Sequence, residues 1–155
     1  MYIFIYFSGM ATMAGLIFFI MPKIMFITRK SRYNFSETIE KLEKSIIKNK
    51  WGHRGTWFIH NDFKKKQIEF NTRIANINFC NAVYASEILR QQKNRFVASL
   101  MPCALSVWKN DRGKVFITKM NTGLMGYLFG GTIAKIMTVP VSKEEKQILK
   151  DVVSY

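Results

Sequence analysis

Cys80, Cys103, His60 and the methionines Met101 and Met120 are the side chains of this chain best fitted to bind something chemically distinctive. Thiolates, thioethers and imidazole are soft donors of the kind that cuprous copper prefers. His60, Cys80 and Cys103 are therefore the candidate metal ligands. The chain has no Cys-x-x-Cys and no His-Glu-x-x-His, and its two cysteines make no disulfide framework. Cys80 falls where a strand gives way to a helix. The partial positive charge of a helix N-terminus favours a thiolate there. The plainer reading of a free cysteine is a small buried hydrophobe, and that of a single histidine is a satisfied structural side chain. Strand direction decides between these readings for the pair. On parallel neighbouring strands Cys80 and Cys103 sit a strand length apart, roughly 17–20 Å, whereas on antiparallel strands the thiols can meet.

A second set is glycine. Gly123, Gly126, Gly130 and Gly131 recur at intervals of three and four within an apolar stretch, residues 121–138, that carries one charge, Lys135. On a continuous helix they share a face. That face brings backbone close to a ligand, packs tightly on a sheet or second subunit, or sets the run from Leu124 to Phe129 against a bilayer surface. The pattern is neither a phosphate-binding Gly-Lys-Ser/Thr loop nor a dinucleotide fingerprint. No catalytic set emerges. Glu37, Glu40, Glu144 and Glu145 read as solvated helix residues, and Ser106 and Thr118 have no evident base.

The elements that must position these residues are legible by period. Asn34 and Glu37 form a capping-box start, followed by Phe35, Ile39, Leu42 and Ile46 at helical spacing, so residues 35–49 read as an amphipathic helix. Residues 56–60 and 73–80 read as strands, and residues 61–72 as a polar loop. Asn81 caps a helix over 82–92. Residues 103–109 and 114–120 form a hairpin around Asn110-Asp111-Arg112-Gly113, with Gly113 free to take positive φ. Ser142 and Glu145 suggest a second capping box, opening a helix that runs to about Val153. The order predicts an α+β, two-layer sandwich: a four-stranded, mainly antiparallel sheet with helices on one side.

Residues 2–21 contain no charged side chain, and about twenty apolar residues at about 1.5 Å each match the ~30 Å hydrocarbon core of a bilayer. The run is too long, and the following Met-Pro-Lys too bulky, for a cleaved signal peptide. The expected organisation is a transmembrane anchor over 1–22, a basic juxtamembrane linker over 23–33, and a single domain over 34–155. Lys23, Arg29, Lys30 and Arg32 would touch lipid headgroups and place the domain in the cytoplasm, beneath a single-pass helix. Ser8, Ala11, Thr12 and Gly15 have the spacing that lets such helices pair. The net charge of +14 suits an anionic leaflet without further assumption. Nucleic acid ranks lower as a partner, and solvated lysines need none.

Three stretches carry a family resemblance: Phe79-Cys80-Asn81, Ser99-Leu100-Met101-Pro102-Cys103, and Met120-Asn121-Thr122-Gly123-Leu124-Met125-Gly126 with Gly130-Gly131 after it. Over about residues 31–153 the chain resembles the domain-of-unknown-function 302 family, whose bacterial members often carry one anchoring helix and a junction like Met21-Pro22-Lys23. The resemblance implies a small α+β domain that pairs as a homodimer in the bacterial inner membrane. It implies no established activity. Ala82, Ala104 and Asn61 depart from the usual proline, arginine and His-Asp adjacency. The motifs supply a candidate ligand set of Cys80, Asn81, Cys103, Asn121, Gly123, Gly126, Gly130 and Gly131. The sequence thus favours a membrane-anchored, non-enzymatic ligand-binding or protein-interaction domain, within reach of a membrane protein complex. A thiol- or metal-dependent redox accessory is the alternative, with nucleic-acid binding behind it.

Overall fold

The structure is a computed structural model that describes residues 2–154; the side chains of residues 2–8, Ala11 and Leu16 lie outside the described set. A first helix, α1 (Tyr2–Met25), runs directly into β1 (Phe26–Ser31). There follow α2 (Phe35–Lys48), β2 (Gly52–Trp57), α3 (Ile59–Lys65), β3 (Ile74–Cys80) and α4 (Ala82–Leu89). A 3₁₀ segment, Gln92–Leu100, leads to β4 (Cys103–Lys109) and β5 (Val115–Met120). The chain closes with α5 (Thr122–Phe129), α6 (Gly131–Ile136), a π-helical turn Met137–Val141, α7 (Ser142–Leu149) and β6 (Val153–Ser154).

The strands form one six-stranded sheet, ordered β2-β3-β4-β5-β1-β6, and every pairing is antiparallel. The four-stranded expectation is therefore corrected by two strands. The basic stretch after α1 is not a linker: Phe26–Lys30 pair with Met120–Phe116. Its charges mask a strand because β1 lies toward an edge, where exposed cationic side chains are tolerated. Val153–Ser154 is too short to announce itself by period. Residues 61–72 hold part of a helix, α3, where a loop was expected.

Alternation of burial along β3, β4 and β5 sorts the sheet into two faces. Ala75, Ile77, Phe79, Leu105, Val107, Val115 and Ile117 point inward and are buried. Phe35, Ile39, Leu42 and Ile46 of α2 cover them, with Ile148 and Leu149 of α7 alongside. This is the two-layer packing that a helix with one apolar stripe and a sheet with one apolar face both require. The opposite face is more polar: Thr28 and Thr118 share a 2.8 Å hydroxyl bond, the Trp108 indole donates to Thr118, and Trp108 stacks on Phe116. The Asn34 cap is present, its Oδ1 accepting from Glu37 N at 3.0 Å.

The membrane anchor, and with it the single-pass placement in a bacterial inner membrane, is also corrected. Among the described residues no helix is long and apolar enough to cross a membrane. Ser8 and Ala11 of the small-residue stripe lie outside the described side chains. Lys23 sits in the last turn of α1, Arg29 and Lys30 stand exposed on β1, and Arg32 follows it, so these cations belong to the rim of the folded domain.

Candidate functional site

Antiparallel pairing brings several chain segments to one end of the sheet. Phe79 pairs with Cys103, Leu105 with Lys119, and Met120 with Phe26. The end of β3, the start of β4, the end of β5 and the start of β1 therefore meet. Above them begin two helices, each started by an asparagine. Asn81 Oδ1 accepts from Val83 N, and Asn121 Oδ1 accepts from Leu124 N while its Nδ2 donates to the Ile24 carbonyl at 3.0 Å. Both asparagines thus act as N-caps, and Asn121 also ties the end of α1 to the domain.

Two hollows open at this end. One is a small cavity of about 50 Å³, walled by Trp51, Tyr84 and Ile88 and lined by Cys80, Met101, Cys103 and Met137. The other is a groove of about 260 Å³, bordered by Phe26, Leu100, Pro102, Ala104 and Met120, with Lys119, Thr122 and Glu145 among its lining residues. Cys103, Leu100 and Met137 belong to both walls.

Lys119 lies on the inner face of β5, in register with Val115 and Ile117, where the pattern calls for an apolar residue. Its Nζ donates to Glu145 Oε2 at 2.5 Å and to the Met120 carbonyl at 3.2 Å. Thr122 Oγ1 donates to the same carboxylate oxygen at 2.7 Å. Both charged side chains are at least nine-tenths buried. Burying charges this deeply is tolerable only because each is paired and hydrogen-bonded. Glu145 is thus not a solvated helix residue, nor does it close a capping box with Ser142. The π turn feeds α7 without a side-chain cap, and the Glu145 carboxylate is spent on Lys119. Its neighbour Glu144 is engaged too, accepting from Trp51 Nε1 at 2.7 Å and from the Tyr84 hydroxyl at 2.6 Å. The bond to Glu144 is the main reason the Tyr84 phenol is held above its usual value. Sequence reasoning missed this constellation, although two signals were available. Lys119 continues the inward alternation Val115-Ile117, and Glu145 continues the inward stripe Val141-Ile148-Leu149.

Cys80 and Cys103 both line the small cavity. Burial pushes the Cys103 thiol up to about 12, with the nearby Glu145 and Cys80 adding to the rise and Lys119 opposing it. Cys103 is accordingly a neutral thiol at physiological pH rather than an activated nucleophile. His60 does not join them. It flanks the far end of β3, where its Nδ1 accepts from Ile74 N at 3.3 Å, and it meets Phe35 and Phe58 edge-on. Six residue steps along the strand, about 20 Å, separate Ile74 from Cys80. Among the described residues no group of three or more His, Cys, Asp or Glu could hold a metal ion.

Nor do the four glycines share one helix face. Gly130 and Gly131, at φ 69° and 54°, break the expected helix into α5 and α6, in a conformation that side chains disfavour. Gly126 faces the π turn so closely that a Cβ there would meet Thr138 Cγ2 at 2.8 Å and Met137 Cβ at 3.0 Å. Gly123 has ordinary clearance. Packing accounts for Gly126, and chain reversal for Gly130 and Gly131.

The architecture defines an antiparallel α+β sandwich whose end hollows are built by strand termini. The chain belongs to the family Domain of unknown function DUF302, whose model matches residues 27–152. That match begins within β1, in agreement with its place in the sheet. A crystal structure titled as that of an uncharacterized conserved protein DUF302 from Bacillus stearothermophilus is similar in fold, at 21% identity and a TM-score of 0.72, covering 83% of this chain and 98% of that one. No curated protein matches the chain.

Two consequences of this site can be measured. Lys119→Met strands a buried carboxylate, and chemical denaturation should show a loss on the order of 3–5 kcal/mol, with much of it recovered when Glu145→Leu is added. Cys103 responds to alkali. Its folded pKa of about 12 lies above the ordinary value of 9.0, so the unfolded chain loses the proton first. Its contribution is whole below pH 9 and disappears as pH climbs toward 12. The stability difference between wild type and Cys103→Ala should shrink across that window; a flat difference would contradict the burial.

Proposed function

We propose that this domain is a non-enzymatic binding module, and that its ligand is a small, mainly apolar molecule carrying one hydroxyl or amide group. The observation that carries this reading is the Lys119–Glu145 pair among the residues lining the groove. A buried ion pair adds little stability over a well-packed apolar replacement, so structural need alone is a weak account of it. Work at the groove is a stronger one. Glu145 Oε2 takes the bonds from both Lys119 and Thr122, which leaves Oε1 for a donor on the ligand. Lys119 spends two of its three N–H donors within the protein, which leaves one for an acceptor. Phe26, Leu100, Pro102 and Met120 offer apolar walls to the rest of the molecule. Apolar walls with a few fixed polar groups are the usual make-up of a small-ligand site.

Titration of ¹⁵N-labelled protein with hexanol, hexanamide and hexanoate tests the reading. Amide shifts should cluster at Met120, Thr122 and Ala104 for the alcohol or amide, and vanish in Lys119→Met/Glu145→Leu. Shifts scattered over the surface, or none with any of the three, would refute a site in the groove.

A second reading, self-association, is favoured by α1. Met13, Ile17, Phe18 and Phe19 are exposed there, an unusual concentration of apolar surface for a lone chain. Two copies pairing through α1 would cover it. Light scattering on the purified chain should give twice the monomer mass, falling to the monomer in Phe18→Ser/Phe19→Ser. A monomeric wild type removes this reading.

A further inference from the structure

The small cavity beside the groove is lined by sulfur. Cys80 ends β3 and Cys103 begins β4, and because those strands are antiparallel neighbours both residues reach the same end of the sheet, where they line one hollow. Met101 and Met137 place thioethers in its wall, and Trp51 and Tyr84 help to close it. Its volume of about 50 Å³, against about 260 Å³ for the groove, suits a single ion better than the ligand the groove would take. The lining is overwhelmingly apolar, which makes it a poor home for water, since a buried water needs two to four polar partners. It equally disfavours hard cations, which require several oxygen ligands.

We propose that this cavity binds one soft monovalent d¹⁰ cation, Cu(I) or its analogue Ag(I), through the Cys80 and Cys103 sulfurs with Met101 and Met137 as supporting thioethers. The chemistry is a ligand exchange without electron transfer. Two S–H bonds break, two metal–sulfur bonds form, two protons leave to solvent, and the metal stays monovalent. Thiolate and thioether donors select this class of ion. Zinc would need a full tetrahedral set of thiolate, imidazole or carboxylate ligands, and His60 lies at the other end of β3. This site is separate from the groove reading: the groove double variant Lys119→Met/Glu145→Leu removes none of the four sulfurs.

The test is a competition under reducing, anaerobic conditions. The full chain is titrated into the Cu(I)–bicinchoninate complex, and the loss of the complex's colour counts copper transferred. One equivalent per chain should transfer. Cys80→Ser and Cys103→Ser should each weaken binding beyond the ~10–100-fold that losing an outer-sphere partner costs, and Met137→Leu by on the order of tenfold. Circular dichroism of each variant separates lost binding from lost fold. X-ray absorption on the copper-loaded wild type needs no variant and should show a sulfur-only shell. Failure to withdraw copper, a nitrogen or oxygen ligand in that shell, or unchanged transfer to a folded Cys80→Ser/Cys103→Ser chain would overturn the assignment. So would two independent equivalents, the mark of thiols acting separately.

Discussion

A positively charged side chain on the inner face of a sheet must be answered, and the answer organises one whole end of this molecule. Lys119 occupies a position that Val115 and Ile117 mark as core. Its ammonium is at least nine-tenths buried, so α7 must bring Glu145 down onto it, and α5 must supply Thr122. That requirement fixes the rotation of α7. Once Glu145 faces inward, Ile148 and Leu149 face inward with it by helical spacing, and Glu144 is directed toward Trp51 and Tyr84. One interaction thus aligns a helix, a strand end and the aromatic wall of the sulfur-lined cavity.

The two hollows differ in the chemistry of their linings. The groove combines apolar walls with a fixed charge pair, while the cavity offers sulfur-bearing residues in an apolar setting. They touch through Cys103, Leu100 and Met137. A shift of the π turn, which carries Met137 and packs on Gly126, would be felt in both. Anything larger than hydrogen at Gly126 presses on that turn, so its glycine protects the geometry of both hollows.

Periodic elements were readable from the residues, and elements defined by their partners were not. The α2 stripe, the alternation of β3 and the β4–β5 hairpin follow from repeat patterns, and the structure has them where the patterns lie. The β1 strand escaped because Arg29, Lys30 and Arg32 after an apolar run resemble a membrane-flanking segment, a likeness that says nothing about pairing with β5. The glycine stripe misled through the opposite error, since a regular spacing was extended across Gly130 and Gly131, where the backbone reverses. Cys80 and Cys103 stand out by residue type, but whether they line one hollow depended on strand direction, which neither position encodes. Lys119 and Glu145 were visible only as violations of an apolar pattern. Such violations deserve more weight than the residues that obey the pattern, because burying a charge is costly enough to require a reason.

The two margins of the sheet are finished differently. At one margin, β2 shifts register between His53 and Thr56 around Gly55, which bends the strand out of plane. At the other, the two-residue β6 covers only Lys30 and Ser31, and a bond from Arg32 N to the Val152 carbonyl fastens it. The β2 border thus presents no long, flat row of backbone donors and acceptors to a passing chain, whereas β6 leaves Phe26–Arg29 of β1 uncovered. A hydrogen-bonded ribbon growing outward from the β2 side would find a kink where it needs a template, which guards that side against stacking into fibrils.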